Sequence, residues 1–356
     1  MSSVRGEPSI HKFIFMTTPF RSGSALTTRM LNANSQVCMT TDKLKFFLFC
    51  YKPDVPLAER YVEETVSNVA YRLRHRFKLQ IDARECLSIL ETQPLSYASL
   101  YATLVSEMHK HHSKPIIGEM ESLSWRNIPH FLRMFPDGKA MMIVRDLRDV
   151  VVSFKKHTIA PGNDYLIALF NVVDAMDHWL LYQKRYPGRF FGIRYEELKA
   201  NPEREIRKVC GFLEIDYEPG MLNENCWKED TGERWRNHQI SSFYSEGDYQ
   251  NPVGRWRRLI TQEELFLCEW IGWSQMHAFG MEREGKSTSQ EMFNRAIEML
   301  MSSELLRECF KKWCETGYGV QRYPLDPTNP AYWDKDDVVD LSAFENQALE
   351  AGGVAE

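Results

Sequence analysis

Two short groups of side chains, far apart in the chain, have the types and spacing to hold oxyanions. The first is Arg21-Ser22-Gly23-Ser24, inside the stretch MTTPFRSGSALTTRML. Gly23 lets the backbone approach an anion closely, Ser22 and Ser24 add hydroxyl donors, and Arg21 supplies a permanent charge with a planar fork of donors. An apolar run precedes this group, and Leu26, Met30 and Leu31 follow at helical spacing, which puts it at a strand-to-helix turn. Such a turn offers unpaired N–H groups and the positive end of a helix dipole. The competing reading is a serine-capped helix after a proline turn.

The second group is Arg145, which ends the apolar run AMMIV, with Ser153 eight residues on in the helix that follows. Strand ends at the carboxyl edge of a parallel sheet are where ligands bind, so this pair suits a second phosphate. Its competing reading is a solvated turn in which Asp146, Arg148 and Asp149 merely pair with Arg145. A P-loop nucleotide kinase is disfavoured: the pattern G-x-x-x-x-G-K-S/T is absent, with no glycine at the right distance before Gly23 and no Lys-Ser/Thr pair after it. The run HKHHS (His109 to Ser113) resembles a metal cluster, but it ends a polar helix and is expected at the solvated surface; no metal is implied. His157 is expected on a helix surface. The Trp and Arg residues of CWKEDTGERWRNH and GRWRRLI read as core and rim packing, with an acceptor lid as the alternative.

The elements that must position these groups follow from hydrophobic period. HKFIFM, PIIGE, AMMIV and FFGIRY read as short buried strands, and helical patterns lie between them, as in Pro202 to Leu213 behind the cap Asn201. Strands alternating with helices give an α/β fold with a central, mainly parallel sheet flanked by helices. Lys43 to Lys114 reads as a helical insertion, Glu263 to Trp270 as a helix, and Glu291 to Cys314 as one late amphipathic segment. The expected organisation is one domain over 1–285, with the insertion at about 43–114, and a helical extension over 286–356 whose acidic tail frays.

Composition sets limits. With 43% hydrophobic and 12% aromatic residues, 356 residues can bury a large core, and a formal charge of −5 argues against nucleic acid or an anionic membrane as partner. No run approaches the roughly 18 apolar residues of a membrane span, and Met1 to His11 has no apolar leader core, so a soluble cytoplasmic protein is expected. The eight cysteines lack any C-x-x-C and read as packed, reduced thiols. A homodimer is compatible with all of this.

Read in order, FIFMTTPFRSGSALTTRMLNANSQV, MMIVRDLRDVVVSFKKH, FFGIRYEELKANPEREIRKVCGFLEI and NPVGRWRRL resemble the sulfotransferases that use 3′-phosphoadenosine 5′-phosphosulfate, PAPS. The resemblance runs over roughly residues 12 to 280 and implies their P-loop-like fold. It implies that Arg21 contacts the phosphosulfate, that Ser22, Gly23, Ser24, Ala25 and Leu26 cradle the 5′-phosphate, and that Arg145 and Ser153 hold the 3′-phosphate. Tyr195 of RYEEL would sit near the adenine, and Ser241, Phe243, Gln250, Asn251 and Arg255 match later cofactor segments. The chain departs from many relatives at Ala25 and Leu26, where they carry a second hydroxyl and an indole. It also reads GEMESLSW where they carry Lys or His, which leaves the base open between Asp42 of TTDKLKFF and Glu121, 24 residues before Arg145, with Glu119 third. The implied reaction is sulfuryl transfer from PAPS to a hydroxyl or an amine or carbamoyl nitrogen of a small, natural-product-like acceptor, as in secondary metabolism, leaving 3′-phosphoadenosine 5′-phosphate, PAP. The alternatives are an inactive PAPS/PAP-binding scaffold and, less favoured, a nucleotide-kinase-type phosphotransferase.

Overall fold

A computed structural model describes residues 12–54, 57–158, 160–228, 251–284 and 289–323. Five parallel strands, β1 (Lys12–Thr18), β2 (Val37–Thr41), β3 (Ile116–Ser122), β4 (Lys139–Val144) and β5 (Phe190–Arg194), pair in the order β2-β3-β1-β4-β5. Parallel neighbours need long crossovers, and every crossover among the described residues carries helix. Side chains alternate between two cores, as a period of two requires. Phe15, Ile117, Met142 and Val144 join one, and Ile14, Met16, Ile116, Met120, Met141, Ile143 and Ile193 join the other.

The smaller core is covered by α1 (Ser24–Asn32), α9 (Tyr195–Ala200) and α10 (Pro202–Leu213). On the larger core lie α2 (Phe46–Phe49), α3 (Glu59–Phe77), α4 (Ala83–Glu91) and α5 (Tyr97–His109), all between β2 and β3, then α6 (Ile128–Met134), α7 (Leu147–His157) and α8 (Ile167–Arg185). Asp82 caps α4 by accepting from Arg84 and Glu85 N–H, and a Ser96–Ser99 capping box opens α5.

Four details differ from the sequence expectation. Strand β2 has too short an apolar run to read as a strand: its sequence is VCMTT, two of its five residues threonine, and it is held by pairing with β3. FFGIRY stops being strand at Arg194, and Tyr195 opens α9. The late amphipathic segment is two helices, Gln290–Met301 and Glu304–Thr316, divided where Ser303 accepts from Leu306 N–H as an N-cap. His109 is buried rather than solvated.

These two late helices set Ala296, Leu300, Leu306 and Cys309 into the larger core. Beyond them, the Asn171 amide donates to Arg322 O (2.8 Å) and accepts from Arg322 N–H (2.7 Å), and the Tyr323 hydroxyl donates to Leu123 O (2.8 Å). Six of the eight cysteines are buried, and Cys226 and Cys314 are exposed.

Candidate functional site

The carboxyl edge of the sheet gathers the candidate residues in strand order. Asp42 follows β2, Glu121 and Ser122 end β3, the Arg21 loop leaves β1, Arg145 leaves β4 and Tyr195 leaves β5. At the loop, Gly23 is the N-cap of α1 with φ 100, a left-handed conformation that favours glycine. A Cβ there would lie 2.3 Å from Tyr195 Cδ2, so the tyrosine ring lies flush against the loop backbone. The Arg145 guanidinium stacks over the same ring at 4.8 Å from its centroid.

Hydrogen bonds join the two anion groups into one unit. Arg145 Nη1 donates to Arg21 O (2.9 Å), and Arg21 Nε donates to Ser153 Oγ (3.3 Å) across 132 residues of sequence. Arg21 Nη2 lies 2.8 Å from His157 Nε2. Since a guanidinium can only donate, Nε2 carries the lone pair and the imidazole proton sits on Nδ1. Burial, then Arg21, Arg255 and Lys156, lower the His157 pKa to about 3, which keeps it neutral. Arg145 is buried, not on a solvated turn, with Asp149 at 3.7 Å. Asp149 also accepts from Gly254 N–H (2.8 Å) and Trp256 N–H (2.9 Å), which fixes the turn carrying Arg255. Within this set Ser22 Oγ and Arg145 Nε are buried yet make no hydrogen bond among the described residues. Buried polar atoms in native structures are nearly always paired, so two orphans on two turns joined by the Arg145–Arg21 hydrogen bond mark a place suited to an acceptor.

The carboxylates occupy the other half of the edge. Glu119 accepts from Lys45 N–H (3.0 Å) and Phe46 N–H (3.4 Å), while Glu121 accepts from Phe47 N–H (3.1 Å) and from Ser124 Oγ. Both are fully buried, and burial raises the Glu121 carboxyl to about 7 and Glu119 well above the ordinary range. Asp42 is different: its side chain is 27% exposed, and its oxygens accept from Ser122 N–H (2.9 Å) and Ser122 Oγ (2.6 Å). Lys45 Nζ stands 3.7 Å from Asp42 Oδ1, and burial lowers the Lys45 pKa against the pull of Asp42.

A family profile described as "Sulfotransferase family" matches residues 14–219, more than half of the chain. This chain belongs to the sulfotransferase family. The sulfotransferase domain from the curacin biosynthetic pathway superposes with a TM-score of 0.52 at 18% identity, over 77% of this chain and 99% of that one. The sulfotransferase domain of the Synechococcus PCC 7002 olefin synthase gives 0.51 at 18% identity, over 79% and 99%. An uncharacterized protein of Aquifex aeolicus is 24% identical over 71% of this chain and 31% of its own length. A putative protein-tyrosine sulfotransferase of Caenorhabditis briggsae is 24% identical over 28% of this chain and 36% of its own. The chain thus spans about a third of the length of these two relatives.

In this sulfotransferase-family chain, Arg21, Ser22, Gly23, Arg145, Ser153 and Tyr195 come together as the sequence motifs imply, with Ser24, Ala25 and Leu26 as the first turn of α1. Asn251 and Arg255 flank the turn at Gly254, whereas Ser241, Phe243 and Gln250 lie outside the described residues. Sequence reading missed three neighbours. Lys45 carries a weak signal, three residues after Asp42. His157 reads as surface until its partner Arg21, 136 residues away, is placed beside it. Tyr323 gives no signal, because its position depends on the path of the late helices.

Proposed function

We propose that this family member transfers a sulfuryl group from PAPS to a hydroxyl or nitrogen of a small-molecule acceptor. The observation that carries the proposal is the pair of orphaned donors, Ser22 Oγ and Arg145 Nε, on two hydrogen-bonded turns at one sheet edge. A ligand bearing two separated phosphates satisfies both at once, and a nucleoside triphosphate without a P-loop lysine does not. PAPS would supply the activated sulfuryl group, with PAP as the leaving nucleotide. The Gly23 turn and the α1 N-terminus would take the 5′-phosphate, and Arg145 with Ser153 the 3′-phosphate. Arg21, oriented by Ser153 and His157, would keep a fixed positive charge where negative charge develops on the leaving oxygen.

Asp42 is the group we assign as base. Its carboxylate is partly exposed and held in one orientation by two donors from Ser122, whereas Glu119 and Glu121 are sealed under α2. It would accept the acceptor's proton as the new bond to sulfur forms.

Thermal denaturation of the full chain tests the proposal. PAP should raise Tm, ATP with magnesium should not, and labelled PAPS should yield a sulfated product from some member of an alcohol, phenol and amine panel. A response to ATP with magnesium instead of PAP would end the reading, and PAP binding without turnover would reduce it to a binding protein.

A further inference from the structure

We infer that the amino-terminal half of the sheet carries a zinc site made of Cys38, His109 and His112. Cys38 Sγ and one ring nitrogen from each histidine lie within 4.8 Å of one another. Zinc–sulfur and zinc–nitrogen bonds in tetrahedral geometry require separations of roughly 3.3–3.6 Å between ligand atoms. The gap closes by at most about 1.2–1.5 Å of movement, and His112 is the residue able to supply it, because it is exposed on the turn that follows α5.

The other two ligands are already fixed. Cys38 is buried at the second position of β2, paired with Ile117. His109 is the last residue of α5, and its Nε2 lies 3.0 Å from the Gly118 carbonyl. A carbonyl oxygen can only accept, so Nε2 carries the proton and Nδ1 keeps the lone pair for a metal. A backbone carbonyl holding the second ring nitrogen is the usual support of a metal-bound histidine. The spacing of three residues sets His109 and His112 on one side of the chain, and the turn between them is closed by His112 N–H donating to His109 O (2.9 Å). One thiolate and two imidazoles form a borderline-soft set that favours zinc over magnesium or calcium. A cavity of about 450 Å³ opens beside the three residues and is also lined by Glu218 and Cys226, which gives an ion an entry path and leaves room for a water as fourth ligand.

The site would pin the end of α5 across β3 onto β2, at the opposite end of the strands from Asp42 and Arg21. Zinc should therefore stabilise the chain without changing its response to PAP.

The full-length chain, stripped with a chelator and titrated with Co²⁺ and then Zn²⁺, tests this. One equivalent of Co²⁺ should bind with a thiolate charge-transfer band in the near ultraviolet, one equivalent of Zn²⁺ should displace it, and Zn²⁺ should raise Tm. Cys38→Ala should abolish the band. His112→Ala, at an exposed position, should fold and weaken Zn²⁺ binding by at least about tenfold. Substoichiometric uptake, a cobalt spectrum without the thiolate band, or unchanged affinity in His112→Ala would each overturn the assignment. Should Cys38→Ala fail to fold, the spectrum of the parent chain and the affinity of His112→Ala decide it.

Discussion

Arg145 does several jobs with one guanidinium. It donates to Arg21 O and to Pro252 O (2.5 Å), lies over Tyr195 and keeps Nε in reserve. Replacing it by alanine removes a charge-assisted contact of about 1.5–3 kcal/mol, so Arg145→Ala should weaken PAP binding roughly 10- to 150-fold by titration calorimetry. Arg145→Lys should not restore it, since one ammonium cannot serve two carbonyls, a ring and a phosphate together. At the other end, Asp42→Asn keeps the shape and two of the hydrogen-bonding options with Ser122 while removing the base. Its kcat should fall by about 10²- to 10⁴-fold, and its PAP affinity should stay that of the parent chain. Equal loss in Glu121→Gln with none in Asp42→Asn would exchange the two assignments.

The Glu119 and Glu121 carboxyls act on an element rather than on a ligand. Together they receive three successive backbone N–H groups, from Lys45, Phe46 and Phe47, and so clamp the start of α2 onto β3. Burial raises the Glu121 pKa to about 7, so the folded chain holds a proton there that the unfolded chain gives up in the ordinary carboxylate range. The associated stability is complete below the unfolded value and is lost as pH rises through about 7. Glu121→Gln, neutral at every pH, should show a smaller drop in Tm than the parent chain between about pH 5 and pH 8; parallel curves would contradict the raised pKa. None of this was legible in GEMESLSW, where two carboxylates at alternate positions read as candidate bases. In a strand, alternate residues share one face, and that face here is roofed by α2. What was legible is local: the Gly23 turn and the Arg145 strand end announce themselves by residue type and periodicity, and the order of motifs joins them. Strand β2 and the Lys45–Asp42 pair were hidden because their burial is a product of pairing and roofing, not of an apolar run. His157, likewise, is kept neutral by its burial first and then by the cations around it, which only the fold supplies.

At the scale of the whole molecule, the late helices form part of the larger core. Leu300, Leu306 and Cys309 are buried in it, and Trp270 packs against Phe293, Phe310 and Trp313 with ring centroids 6.1, 5.9 and 5.4 Å away. Each fully buried leucine contributes about 1.5–3 kcal/mol, so the contact as a whole is comparable with the roughly 5–15 kcal/mol that separates folded from unfolded domains. A detachable appendage would melt by itself, and a segment sharing the core must melt with the sheet. Leu306→Ala distinguishes these cases. It should cost about 2–5 kcal/mol and lower one calorimetric transition as a unit, with the PAP-induced rise in Tm retained at the lower temperature. A second, early transition that PAP leaves unmoved would mean that the late helices fold apart from the site. Because Gln321 and Tyr323 hold the turn after β3 from the end of those helices, that result would also release the backbone beside Ser122, the partner of Asp42.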